Sequence, residues 1–262
     1  MSNLIEGFLG QSVSGKKSRM PARLDFIQSA SGLFLALFMW AHMFFVASIL
    51  FGKDAMYTIA KFFEGAAFLD KPQPILVSLV VACVFAIFII HAGLAMRKFP
   101  INFRQWQQYR THMKMMKHSD TSLWFFQAAT GFLMFFLGSA HLFMMMTKAH
   151  TIGPFGSADR MWSDFMWPFY LILLIAVEVH GTVGLYRLCV KWGWFEGKDA
   201  KQTRKNLKMA KHAITVFFLV LGLLTLLAYV KIGYDHRDQA GQKYHPTTSQ
   251  IQTLQEKGVK IS

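Results

Sequence analysis

The sequence predicts an all-α membrane protein with five transmembrane helices. Three observations carry that prediction: five long stretches almost free of charge, a composition that is 53% hydrophobic and only 16% charged over 262 residues, and basic residues gathered in alternate loops. Such a composition belongs to the membrane class. The formal charge of +14 would suit a nucleic-acid binder in a soluble chain. Here most lysines and arginines flank apolar stretches, where they orient the chain in a bilayer, so lipid is expected as a partner and nucleic acid is not. Cys83 and Cys189 both lie in apolar segments and no CxxC occurs. That excludes a zinc or iron–sulfur site and a disulfide framework.

Residues 1–23 read as a polar arm ending in Lys16, Lys17, Arg19 and Arg23. The arm lacks an apolar core followed by a small-residue cleavage site, so no signal peptide is expected to be removed. The five-helix domain then occupies 24–232, with apolar runs at 24–51, 75–96, 123–147, 167–190 and 214–230. A span takes about 20 residues, so the fifth run is slightly short and the others suffice. Pro168 stands where a first-turn proline belongs. Residues 100–118 read as a basic amphipathic segment along the inner surface. The tail, 233–262, is polar and expected to be extended and periplasmic.

The loops set the orientation. Arg97, Lys98, Arg104, Arg110, Lys114 and Lys117 follow the second span, and seven lysines and arginines from Lys191 to Lys211 follow the fourth. The other two loops, 52–74 and 148–166, carry Asp54, Glu64, Asp70, Asp159 and Asp164. The positive-inside rule therefore places the N-terminus in the cytoplasm.

One stretch occurs twice. Residues 28–42, QSASGLFLALFMWAH, and 127–141, QAATGFLMFFLGSAH, share the pattern Q-x-A-x-G-x8-A-H. Four histidines sit inside spans, one in each of the first four: His42, His91, His141 and His180. At about 1.5 Å rise per residue, His42 and His141 lie roughly 21 Å from the inner end, and His91 and His180 roughly 10 Å. Two pairs at two depths follow, and two facing imidazoles in a four-helix bundle suit axial ligation of a haem iron. The fold expected is therefore a bundle of the first four helices around two stacked b-type haems. Gln28 and Gln127, about four turns before their histidines, would face the bundle and donate to haem propionates. Gly32, Gly131 and Gly93 would let the macrocycle approach or simply let helices pack. His118 lies close enough to the inner surface to meet a propionate. A lone intramembrane histidine is as readily an interhelical hydrogen bond, and that reading stands beside the haem one.

Glu178 is a carboxyl inside the fourth span, two residues from His180 and so on another side of the helix. It reads either as a proton relay or as a structural hydrogen bond. Glu64, near the level of the His42 and His141 pair, reads as a proton acceptor for a quinol or as an ordinary interfacial acid.

At these residues the chain resembles the dihaem cytochrome b membrane subunit of the quinol:fumarate reductase and succinate:quinone oxidoreductase family, in its epsilon-proteobacterial menaquinol:fumarate reductase form. The likeness runs through KKSRMPARLDFIQSASGLFLALF, HAGLAMRKFPINFRQ, HSDTSLWFFQAATGF, TIGP, EVHGTVGLYR and VKWGWF. It implies an inner haem on His91 and His180 and an outer one on His42 and His141. It further implies propionate contacts from Gln28, Ser29, Trp124 and Lys191 at the inner haem and Arg160 at the outer, with Glu64 as the menaquinol-site acid. Implied partners are a flavoprotein subunit bearing the dicarboxylate site and an iron–sulfur subunit on the cytoplasmic face, with a dimer of such heterotrimers allowed. The implied activity is menaquinol oxidation near the outer haem and electron transfer to fumarate reduction, in the bacterial inner membrane. A cytochrome b anchor of a hydrogenase or formate dehydrogenase, and a histidine-lined proton or metal transporter, remain the alternatives.

Overall fold

The computed structural model describes residues 19–100, 102–116 and 119–246, and all regular structure among them is helical. Eight α-helices follow in order: α1 Met20–Ala47, α2 Lys53–Phe63, α3 Pro74–Met96, α4 Phe103–Met116, α5 Ser119–Thr147, α6 Pro154–Trp162, α7 Trp167–Trp192 and α8 Ala200–His236. Five are long and apolar enough to cross a membrane, namely α1 with its 3-10 extension to Phe51, α3, α5, α7 and α8. Helix starts follow local chemistry. Prolines occupy the first turn of α1, α3, α6 and α7, where a missing N–H costs nothing. The Asp199 carboxylate caps α8 by accepting from the Lys201 and Gln202 N–H groups at 2.8 and 3.2 Å. Gly193 ends α7 at φ +66°, a left-handed turn that suits glycine.

Helices α1, α3, α5 and α7 form a closed up-and-down ring, each touching the next and α7 returning to α1. Helix α8 lies outside the ring against α7, α1 and α6. Much of each spanning helix faces outward with bare apolar side chains, including Phe34, Phe44, Ile90, Phe136 and Leu224. In water that surface would be prohibitive; in lipid it is what a spanning helix presents.

The two ends of the ring are built differently. At one end Lys98 after α3 and Lys191 of α7 both ion-pair with Asp25 of α1. At the other, the short helices α2 and α6 pack with the end of α8 around Ile49, Met56, Ala158, Met161 and Tyr229. Gly233 of α8 presses on the Ala158 carbonyl and the Trp162 side chain, an approach that any Cβ would block.

Four features depart from the sequence reading. Helix α1 starts at Met20, inside the expected arm, because Pro21 favours a first turn. Helices α2 and α6 lie within the stretches expected as loops, 52–74 and 148–166; their buried residues include Met56, Tyr57 and Ala60 in one and Ala158 and Met161 in the other. Helix α8 runs 37 residues rather than the 17 of its apolar core, since its lysine-rich start contains good helix formers and no proline. Residues 237–246 fold back instead of extending: the Gly241 N–H donates to Asp159 at 2.9 Å and the Tyr244 phenol to Asp54 at 2.5 Å. Burial, then that hydrogen bond and the Asp54 charge, push the Tyr244 phenol far above its ordinary range.

Candidate cofactor cavity

The ring encloses a cavity of about 890 Å³, lined from α1, α3, α5 and α7, with α2, α6 and α8 closing one end. All four span histidines line it. The structure brings His42 to His141, with ring centroids 6.2 Å apart, and His91 to His180, 6.4 Å apart. The first pair joins the two helices that carry the sequence repeat, α1 and α5, and the second joins the helices that follow them in the ring, α3 and α7.

The spacing is informative. An imidazole nitrogen sits about 1.1 Å from its ring centroid and bonds a divalent metal at about 2.0–2.1 Å, so one ion between opposed rings separates the centroids by roughly 6.3 Å. Among the described residues no group of three or more His, Cys, Asp or Glu stands ready to hold a metal. A pair of imidazoles therefore needs the remaining ligands from a bound group, which a haem macrocycle supplies.

The duplicated motif explains how two of the rings are held. The His91 Nδ1 faces the Gln28 carbonyl at 3.2 Å, and the His180 Nδ1 faces the Gln127 carbonyl at 2.9 Å. The His91 Nδ1 also lies 3.2 Å from the Ser31 hydroxyl. A carbonyl only accepts, so the contact to it suits an imidazole with the proton on Nδ1 and a free lone pair on Nε2, the form a metal-ligating histidine takes. Four residues on, the motif glycine makes room for the same ring. A Cβ on Gly32 would lie 2.8 Å from His91 Cε1, and one on Gly131 2.7 Å from His180 Cε1. The motif is thus a histidine cradle: its glutamine carbonyl orients, and its glycine admits, the ring of the neighbouring helix. Gly93 has no such part, being exposed, outside the cavity lining and with open space where a Cβ would stand. In the other pair, His141 Nδ1 lies 3.3 Å from the Tyr170 hydroxyl and His42 stacks on Phe38.

The predicted polar residues divide. Gln28, Ser29 and Lys191 line the cavity at its ion-paired end, where the Gln28 Oε1 is buried with no partner among the described residues and Lys191 donates to Ser29 Oγ at 2.9 Å. Gln127 also lines it, its Oε1 accepting from Arg187 at 2.6 Å. Lys98, Arg187 and Asp25, which the sequence reading passed over, belong to this end as well; a lysine after each even-numbered span was the available signal. Trp124 lies outside the lining, packed on Tyr109 at 4.6 Å. His118 falls outside the described residues. At the opposite end Arg160 is buried, lines the cavity and donates to Thr151 Oγ1 at 2.8 Å.

The two acids differ in setting. Glu64 is buried, lines the cavity and accepts from Lys61 Nζ at 2.8 Å. Glu178 is fully buried outside the cavity lining, and neither carboxyl oxygen has a partner among the described residues. It shares an α7 face with Leu174, which meets Gly222, and Thr182, which bonds Thr215 at 2.8 Å. That face is the α7–α8 seam.

The chain is similar to known proteins. Residues 104–222 match the family described as succinate dehydrogenase/fumarate reductase transmembrane subunit. The chain is 56% identical over 236 residues to the fumarate reductase cytochrome b subunit of Wolinella succinogenes, covering 90% of this chain and 92% of that one. It is 54% identical over 235 residues to the fumarate reductase cytochrome b subunits of Helicobacter pylori strains J99 and 26695, covering 90% and 91%.

Proposed function

The chain belongs to the fumarate reductase cytochrome b subunits, multi-pass proteins of the bacterial inner membrane, and on that premise we propose that it oxidises menaquinol for a fumarate-reducing complex. Haem b is the cofactor of a cytochrome b subunit. We assign one haem to His91 and His180, at the ion-paired end, and a second to His42 and His141. The observation that carries this is the pair of imidazole separations, 6.2 and 6.4 Å, inside one cavity between the four ring helices. When bound, the two haems supply one-electron carriers between a two-electron quinol and an iron–sulfur partner.

The chain's own residues do the rest. The Gln28 and Gln127 carbonyls fix two imidazoles in the ligating tautomer. Gln28, Ser29, Lys98 and Lys191 offer donors to carboxylates at the inner end, and Arg160 does so at the outer. The resemblance adds Trp124 and His118 to the inner end as propionate contacts, Trp124 from outside the cavity lining. Lys98 and Lys191 already hold one carboxylate, Asp25, so this end is built for anionic oxygen.

Menaquinol binds at the outer end, where Glu64 reaches the cavity wall and accepts the hydroxyl proton. Glu178, unpartnered in the α7–α8 seam, carries a compensating proton inward. The N-terminus and the basic loops face the cytoplasm, where a flavoprotein and an iron–sulfur subunit dock. In the purified complex, Glu64→Gln is expected to keep both haems and lose quinol:fumarate turnover. Full turnover by that variant would remove Glu64 as the acceptor.

A further inference from the structure

Glu64 does not stand alone. Asp54, Tyr57 and Lys61 of α2 and Glu64, the residue that caps its C-terminus, recur at spacings of three and four, which puts them within roughly 80° of arc on one face. Glu64, at the C-terminal end of this stripe, lines the cavity; Lys61 does not. The Lys61 ammonium donates to Glu64 Oε2 at 2.8 Å from the far side, and its Nζ sits 5.5 Å from the Tyr57 ring centroid. The lysine side chain is only 20% exposed and the glutamate side chain 3%. Tyr57 is buried, and burial followed by the Glu64 charge holds its phenol above the ordinary range. It therefore seats the ammonium with its ring face and keeps its own proton. Beyond Tyr57 the stripe reaches Asp54, bonded by the Tyr244 phenol, and Lys53, which lies over the Phe155 and Tyr244 rings. These titratable groups face the α2 stripe among the described residues.

We infer that Lys61 is the second proton carrier of the quinol site, relaying each proton from Glu64 to water on the side of the pair away from the cavity. The inference rests on the reading of Glu64 as quinol proton acceptor. The pair starts as carboxylate and ammonium. A quinol hydroxyl passes its proton to Glu64, forming a neutral acid and leaving the ammonium without its counterion. Lys61 then releases a proton to water on that side, and the free amine takes the proton from Glu64, restoring the ion pair. Oxidation of one quinol releases two protons by two such cycles. Its two electrons leave through the complex's one-electron carriers to fumarate. A purely structural ion pair needs only a cation at residue 61. A relay needs one that can deprotonate.

Arginine separates the two, because a guanidinium keeps the pair and the ring contact but does not give up its proton. The experiment uses the intact complex in liposomes, with a soluble naphthoquinol as donor and fumarate as acceptor. Lys61→Arg is expected to lower kcat by about a hundredfold, in the range of a lost acid–base group, with KM within about twofold and both haem spectra retained. Lys61→Ala, equally slow, is expected to regain turnover on addition of methylamine and not of guanidine. Wild-type kcat in Lys61→Arg, or an alanine variant indifferent to methylamine, overturns the relay. If Glu64→Gln also turns over fully, the quinol-site reading falls with it. If Glu64→Gln is inactive while Lys61→Arg is normal, only the relay falls.

Discussion

Replacing the cradle glycines tests the link between the sequence repeat and the cofactor. In Gly32→Ala the new Cβ would stand 2.8 Å from His91 Cε1 and 3.3 Å from Nδ1. Ordinary carbon contacts lie at about 3.5–4.0 Å, so the ring must retreat by roughly 0.7–1.2 Å. A metal–ligand bond tolerates only about 0.2 Å. Without a bound iron the ring can turn away, and the alanine even gains up to about 1 kcal/mol in helix propensity. With iron the ring is pinned and the overpacking costs about 1–3 kcal/mol. The whole penalty therefore falls on cofactor binding, weakening haem retention by about 5- to 150-fold. The assay is haem per chain and the reduced spectrum of the purified variant, with thermal unfolding of the haem-free chain alongside. The haem at His91 and His180 should be lost or shifted while that at His42 and His141 is unchanged. Gly131→Ala should strike the same haem through His180, whose Cε1 would be 2.7 Å from the new Cβ. Two unperturbed haems in either variant would refute the cradle.

Three further substitutions address other parts of the molecule. Asp25→Asn removes two partly exposed ion pairs, worth about 1 kcal/mol or less each. Deleting that negative charge should raise the midpoint potential of the inner haem, because a nearby anion favours the more positive oxidised iron; a redox titration showing a fall would contradict the placement. Gly233→Ala forces a methyl onto the Ala158 carbonyl and Trp162, and should lower stability by about 1–3 kcal/mol without touching either haem spectrum. An unchanged melting transition would mean that α6 and α8 are not in close contact. Glu178→Gln should fold normally with both haems and lose quinol:fumarate turnover in coupled vesicles; full turnover there would take Glu178 out of proton traffic.

Much of this architecture is legible in the sequence because membrane solvent leaves few options. Uncharged runs must be helices, short polar loops make neighbours antiparallel, and a 1.5 Å rise converts histidine positions into depths. Those depths match the ring pairs in the structure. The repeat is equally visible, yet its work is not. The Gln28 side-chain amide is expected at a propionate, and no pattern within one helix tells that the backbone carbonyl of each motif glutamine also meets a histidine. No single-helix pattern tells which ring from a neighbouring helix a glycine must clear. Lys61 illustrates the same limit. A lysine in a loop reads as solvated, and only the folding of 53–63 into α2 turns it onto Glu64. The stretch 237–246 reads as a polar tail because the aspartates that hold it, Asp54 and Asp159, are more than 80 residues away.

The central claim is that each ring pair holds one haem. Its most direct test is a reduced-minus-oxidised spectrum with haem quantified per chain, on the wild type and on alanine variants of the four histidines. Two b haems per wild-type chain are expected. His42→Ala and His141→Ala should lose one and the same spectral species, and His91→Ala and His180→Ala the other. A chain with one haem or none, or a His42 variant that loses the species lost with His91, would contradict the assignment.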